Sequence, residues 1–269
     1  YSTLSYYKRN GREFMEFAGL QNFVNILGMA AGERGYVLSY LKNTLVMWGC
    51  NFVPQILVSL LLAVWLTDEK VKVKGTGAMK VIVYLPSVIT AASVSVLFKS
   101  LFSQYGPITQ TLKDWGVLGK NFDFMSSVAG SRGLISTILW WMWFGNTTIL
   151  LMAGMMGIDT SLFEAAEVDG ATSTQVFFKI TLPLLRPILV YVIITSLIGG
   201  LQLFDVPQIL TNGTGDPMRS TMTLIMYLNK HLFSKNYGMA GALSVVLFIL
   251  TTILSLIVFK VTGNDKRKG

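Results

Sequence analysis

Five stretches of this 269-residue chain are apolar for long enough to cross a lipid bilayer: residues 44–66, 79–102, 133–157, 187–204 and 239–261. A run of about 23 residues wound as an α-helix reaches about 34 Å, enough for the hydrocarbon core with modest tilt. Lipid offers no water to free N–H and C=O groups, so such runs must satisfy their backbones internally, as helices. The fourth run is the shortest and contains Gly199-Gly200, while Pro54 and Pro86 lie within the first and second. Neighbouring helices can re-satisfy the backbone groups a proline frees, and Ala91-Ala92-Ser93 and Gly154 permit helices to approach closely. The expected fold class is all-α, a polytopic transmembrane helix bundle. Charged residues are only 13% of the chain, about half the share of a soluble domain. The net charge of +8 sits at the ends of the apolar runs rather than along one polar face. It therefore reads as membrane-topology charge, with lipid and not nucleic acid as the partner.

Orientation follows from Lys and Arg beside the run ends. The link between the first two runs carries Lys70, Lys72, Lys74 and Lys80, and the chain end carries Lys260, Lys266, Arg267 and Lys268. With five spans these segments share one side, the cytoplasmic one, and the link holding Lys179 and Arg186 joins them. Lys8, Arg9 and Arg12 count against this assignment, on the opposite side. Residues 1–43 are then an extracytoplasmic N-terminal segment, and 44–269 the transmembrane domain. A cytoplasmic N-terminus would require a sixth span before Tyr1, which is expected upstream of the sequence read here.

The cytoplasmic link at 158–186, IDTSLFEAAEVDGATSTQVFFKITLPLLR, is more than a tether. Ser161-x-x-Glu164 fits a capping box, in which the serine oxygen takes an early amide and the glutamate reaches back. A short helix is predicted over about 162–168, stopping at Gly170, where a left-handed cap is easy. Thr172-x-x-Gln175 fits a second box, opening a helix that ends before Pro183. Two short helices with the small Ala165 and Ala166 near the first turn make a knob suited to entering a groove.

These residues resemble a known family. Glu164-Ala165-Ala166, Gly170, Ile180, Leu182 and Pro183 look like the EAA loop of bacterial ABC-importer permeases. The flanks EAAEVDGA (164–171) and FFKITLP (177–183) narrow the likeness, as do Leu210-Thr211-Asn212-Gly213, Asp216-Pro217 and Thr221-Met222-Thr223-Leu224. Gly19-Leu20-Gln21-Asn22-Phe23, Lys42-Asn43-Thr44-Leu45 and Tyr84-Leu85-Pro86 extend it over nearly the whole chain. Together they resemble the carbohydrate-uptake branch, on the side of the subunit that carries the sugar site in maltose importers. The departure is Gly213-Thr214-Gly215-Asp216-Pro217, where the family more often has adjacent glycines before the proline.

The resemblance implies a type I ABC importer permease fold in the bacterial cytoplasmic (inner) membrane. It implies a second permease subunit, two ATP-binding subunits and an extracytoplasmic solute-binding protein. No cofactor belongs to this chain; ATP and Mg²⁺ would sit in the ATPase partners. Glu164 would contact the ATPase at a coupling helix, with Ala165, Ala166, Asp169 and Gly170 shaping the fit. The plainer readings are a capping role for Glu164 and a helix stop for Gly170.

A sugar path needs hydroxyl-matching polar groups and flat apolar faces. Within Trp140-Trp141-Met142-Trp143-Phe144, followed by Asn146, adjacent side chains point about 100° apart and cannot all face one cavity; Trp143 and Asn146 are taken as the candidates. Tryptophans also serve as interface anchors. The second stretch lies in the span that, in the maltose-importer subunit it resembles, lines the sugar path; the resemblance therefore points to Ser196, Gly199, Gly200 and Gln202, with the ionisable Asp205 at the span's end. Paired glycines weaken a helix by about 1 kcal/mol each, and interrupted helices at membrane depth point to transport sites. Tight helix packing is the alternative for the glycines. Lys99 is expected to snorkel to the interface. An oligosaccharide, an acidic sugar fragment or a glycerol phosphate would suit such a path.

Other function classes fare worse. The lone Cys50 precludes an intrachain disulfide and reads as a small buried apolar residue, and the lone His231 precludes multi-histidine metal sites. No G-x-x-x-x-G-K-[ST] loop is present, so this chain is not the ATP-hydrolysing partner by that route. An integral-membrane enzyme would need a cluster that the scattered Asp205, Lys99 and His231 do not make. A self-sufficient ion-coupled transporter would show inverted repeats, and none is visible.

Overall fold

A computed structural model describes residues 2–9, 12–28, 36–67 and 75–263. Strands β1 (Leu4–Arg9) and β2 (Arg12–Phe17) pair antiparallel, with Leu4 opposite Phe17 and Arg9 opposite Arg12. Helices follow in the order α1 (Gln21–Leu27), α2 (Tyr36–Thr67), α3 (Thr76–Val88), α4 (Ala91–Leu101), α5 (Pro107–Asp114) and α6 (Val128–Met156). Next come α7 (Thr160–Val168), α8 (Ser173–Val176), a π turn at Phe177–Thr181 and α9 (Leu182–Leu184). The chain closes with α10 (Arg186–Leu201), α11 (Asp205–Leu210), α12 (Leu224–Phe233) and α13 (Tyr237–Gly263).

Among the described residues, four helical stretches are long and apolar enough to cross a bilayer: Tyr36–Thr67, Val128–Met156, Arg186–Leu210 and Tyr237–Thr262. The run at 79–102 is not one helix. It breaks between α3 and α4 with a bend of 86°. Pro86 lies in the last turn of α3, and Ile89 leaves it in an extended conformation with ψ 137°. The N-terminal segment also departs from a purely helical pattern, in the antiparallel hairpin of β1 and β2. Of the orienting cations, Lys70, Lys72, Lys74, Lys266, Arg267 and Lys268 lie outside the described residues.

Helix α2 shows how lipid inverts the soluble pattern. Its buried face repeats at about four residues: Thr44, Met47, Asn51, Gln55, Ser59, Ala63. Its exposed face carries Val53, Leu57, Leu61 and Trp65. Lipid tails solvate Leu and Val as well as a core would, so small and polar residues hold the helices together instead.

The chain divides into two compact units. One comprises Tyr1–Cys50, Ala91–Ile138 and Leu197–Leu256; the other comprises Asn51–Thr90, Leu139–Ser196 and Ile257–Gly269. In the first, Ile26, Val37, Tyr40, Met222, Leu224, Met226, Ala242 and Leu243 form the core. Asn22 Nδ2 donates to the carbonyls of Ser2 and Leu4, each at 2.9 Å, fastening the hairpin to α1. The segment between α11 and α12 is pinned to α2 and α6. Asn43 Nδ2 donates to the carbonyls of Arg219 (2.9 Å) and Met222 (3.2 Å), and the Arg132 guanidinium donates to Asn43 Oδ1 (2.6 Å) and the Ser220 carbonyl (3.0 Å).

In the second unit, Ala63, Leu66, Leu151, Met152, Met155 and Leu185 form the core. Gln55 Nε2 donates to Thr147 Oγ1 at 2.8 Å, and Ser59 Oγ to the Phe144 carbonyl at 2.8 Å. The backbones of α6 and α3 meet at Gly145, where a Cβ would land on the Val83 carbonyl. Arg186 Nε donates to the Thr262 carbonyl at 2.9 Å, tying the start of α10 to the end of α13.

Candidate functional site

The loop at 158–186 forms the expected pair of short helices, with its caps placed differently. Asp159, not Ser161, is the N-cap of α7: its Oδ1 accepts the Ser161 amide at 3.0 Å. Aspartate is among the best cap residues, and the helix therefore starts at Thr160, two residues earlier than the Ser161 box predicts. Glu164 is thereby freed from the capping box and lies exposed in mid-helix. The Ser161 amide bond holds the Asp159 carboxyl below its usual range.

The C-terminus ends as the sequence predicts. Gly170 takes φ 71°, the left-handed region open to glycine. The Ala171 amide donates to the Ala166 carbonyl at 2.9 Å and the Gly170 amide to the Glu167 carbonyl at 3.0 Å. This nested pair is a Schellman motif. Ala166 is buried, whereas Glu164, Ala165, Asp169 and Gly170 are exposed. Val168, 88% exposed, and the exposed Leu162 and Phe178 lie on the same knob. Sequence reasoning passed over these three, although large apolar side chains exposed outside a membrane span are a signal of protein contact.

Thr172 and Gln175 form the reciprocal capping box in full: the Gln175 amide donates to Thr172 Oγ1, and the Thr172 amide donates to Gln175 Oε1 at 2.8 Å. The helix does not end before Pro183. The backbone first widens into the π turn, where the Leu182 amide reaches the Phe177 carbonyl. Pro183 then falls in the first turn of α9, where its missing N–H costs nothing.

Helix α10 runs unbroken through Gly199-Gly200 and gives way only after Leu201. The break is stabilised from outside: Thr223 Oγ1 donates to the Leu203 carbonyl at 2.7 Å while capping α12. Tyr191, Thr195 and Gly199 are exposed at helical spacing along α10, and Gln202 and Asp205 are exposed beyond its end. Ser196 is half-buried. Gly200 turns the other way, and a Cβ there would strike the Trp48 ring. Trp143 and Asn146 share an exposed strip on α6. A polar strip left bare on a spanning helix needs water or a protein neighbour, because lipid satisfies neither amide nor carboxylate.

Lys99 does not snorkel. Its Nζ donates to the Ile209 carbonyl (3.1 Å) and Asn212 Oδ1 (2.7 Å), capping the end of α11 with a cation. Cys50 is exposed rather than buried. Among the described residues, no group of three or more His, Cys, Asp or Glu could hold a metal ion.

Residues 55–263 match the family described as binding-protein-dependent transport system inner membrane component. A lactose transport system permease protein of Rhizobium radiobacter is 31% identical, covering 98% of this chain and 86% of its own length. An arabinooligosaccharides transport system permease protein of Bacillus subtilis is 29% identical, over 93% of this chain and 80% of its own. Among solved structures, a chain of a bacterial alginate ABC transporter, in complex with an alginate pentasaccharide-bound periplasmic protein, superposes with a TM-score of 0.77. It is 23% identical and covers 93% of this chain and 85% of that one.

Proposed function

This chain belongs to the family of binding-protein-dependent transport system inner membrane components, and we propose that it lines the import path for a carbohydrate and is driven through the knob at 158–186. It has the type I importer permease fold, is a multi-pass protein of the inner membrane, and is a transport subunit rather than an enzyme. The carbohydrate reading is supported by the relatives named for lactose and arabino-oligosaccharides. The bent pair α3–α4 counts as one broken span. Residues 1–43 would then lie outside and the loop at 158–186 in the cytoplasm.

The observation that carries this function is the capped knob itself. Glu164, Ala165, Asp169 and Gly170 share an exposed surface with Leu162 and Val168, beyond the end of a spanning helix. An apolar, rigidly capped projection fits a cleft on a separate ATPase subunit, which would bind ATP and Mg²⁺. Two such ATPases, a second permease subunit and an extracytoplasmic binding protein complete the machine. ATP-driven closure of the ATPases would displace α7, and the displacement would reach α10 through the π turn and α9. The strips holding Trp143 and Asn146, and Gly199, Gln202 and Asp205, would face the solute, with Ser196 and Gly200 beside them on α10.

A photo-crosslinker at Ala165 in the assembled transporter should capture an ATP-binding subunit. Capture of none, in either nucleotide state, would remove the reading. Gln202→Leu should lower oligosaccharide uptake while leaving basal ATP hydrolysis intact.

A further inference from the structure

Gln202 opens the gap at 202–204 between α10 and α11, and Asp205 follows it. Pro207 accounts for the place of that gap. In a continuous helix the Leu203 carbonyl would accept the amide of residue 207, four positions on, but proline has no N–H and its ring crowds that same carbonyl. Phe204 leaves helical geometry, with φ −137° and ψ −60°. Leu203 is buried, so its carbonyl needs a donor from elsewhere, and leaving it unmet would be costly. The Thr223 hydroxyl donates to it at 2.7 Å. Thr223 is itself fully buried and accepts the Met226 amide at 3.2 Å. The segment that delivers this hydroxyl is held by two spanning helices. On α2, Thr44 accepts the Leu224 amide and Asn43 donates to the Arg219 and Met222 carbonyls; on α6, Arg132 donates to Asn43 and to the Ser220 carbonyl.

We infer that Thr223 is a positioning residue for solute import: held by the Asn43–Arg132 clamp, it replaces the amide that Pro207 lacks and so fixes where Gln202 and Asp205 stand. The inference rests on the reading that those two residues face the solute. Thr223 acts through the backbone of the gap and touches no solute, being buried beneath it. Lys99 holds the far end of α11 through the Ile209 carbonyl and Asn212, so the short helix that Asp205 begins is tied at both ends. An amide and a carboxylate recognise solute hydroxyls only at hydrogen-bonding distance and angle, and a shift of about 1 Å is enough to cost a large factor in turnover.

The test uses the complete transporter with Cys50→Ser, which removes the single cysteine of this chain. Gln202→Cys then reports the gap through its reaction with a charged methanethiosulfonate, read on this chain by intact mass. Thr223→Val keeps the shape and removes the hydroxyl; it should change the reaction rate at residue 202 by about fivefold or more, the shift expected from one orphaned buried acceptor. Arg132→Met should change the rate in the same direction. Thr223→Ser, which keeps the hydroxyl, should match the parent, as should Thr252→Val, whose hydroxyl bonds within α13. With Gln202 in place, lactose and an arabino-oligosaccharide are offered in separate import arms. Sugar imported per ATP hydrolysed should fall about tenfold in Thr223→Val and recover in Thr223→Ser, a ratio that loss of folded protein does not move. A parent-like reaction rate in Thr223→Val or Arg132→Met overturns the inference, and so does a Thr223→Ser variant as altered as Thr223→Val. If Gln202→Leu imports both sugars as the parent does, the solute-facing reading fails and the import role with it, while the thiol rates still decide whether Thr223 sets the gap.

Discussion

Gly170 separates a backbone role from a contact role in the coupling knob. Its φ of 71° is left-handed, and a Cβ built there meets nothing within 4 Å. Any cost of substitution inside this chain is therefore conformational. For alanine it is about 1–2 kcal/mol, which lowers the ratio of capped to frayed α7 about 5–30-fold. Asparagine tolerates the left-handed region and should cost less, although it is the larger residue. In proteoliposomes containing the complete transporter, solute imported per ATP hydrolysed should fall further for Gly170→Ala than for Gly170→Asn. Gly170→Asp has the shape of the asparagine variant, so any extra defect reports charge beside Asp169. Hydrogen exchange at the Ala171 amide, bonded to the Ala166 carbonyl at 2.9 Å, should accelerate in the alanine variant by the same 5–30-fold. If asparagine uncouples as severely as alanine, or more so, the left-handed stop is not what matters, and Gly170 is needed for its lack of bulk against the partner.

Three further outcomes follow from the fold. Gly145→Ala sets a methyl against the Val83 backbone, an overpacking of about 3 kcal/mol; the thermal midpoint in detergent should fall about 6–12 °C, with Gly49→Ala, which meets nothing within 4 Å, as the unaffected control. Lys99→Met removes both bonds to the end of α11 and should destabilise that helix by about 1–3 kcal/mol, seen as faster hydrogen exchange over 205–212 but not over 160–176. His231 has its pKa lowered by burial and then by Lys230, and its buried Nε2 lacks a hydrogen-bond partner. The fold thus favours the neutral ring: its contribution is full above the unfolded value of about 6.5 and is lost as pH falls through the depressed folded value. Thermal midpoints should drop between pH 7 and 5, and His231→Phe should flatten that drop.

The spans were legible because hydropathy over some 20 residues is a direct reading of the solvent. The break at Ile89–Thr90 was not, since residues on both sides are equally apolar and a proline does not announce a break: Pro86 precedes this one, whereas Pro54 lies inside the unbroken α2. The start of α7 was misplaced because two good cap residues, Asp159 and Ser161, lie two apart, and the sequence does not rank them. Thr172-Gln175 has no such competitor and was read correctly. Lys99 shows a harder limit: its partners are 110 and 113 residues away, and nothing local distinguishes a lysine that caps a distant helix from one that reaches for water. Gly199 and Gly200 look alike in sequence, yet one lies open and the other abuts Trp48.

The widened turn at Phe177–Thr181 lets the rod between the knob and α10 carry one residue more than its phase requires. Deleting that extra residue would restore ordinary winding and leave the helices on either side in the direction they now hold. Each residue of an ordinary α-helix advances the azimuth by about 100°, so deleting one from a regular turn of the same rod would instead swing Glu164 and Val168 about a quarter-turn away. The first variant should keep working where the second, with the same spans and caps, would turn the wrong side of its knob outward.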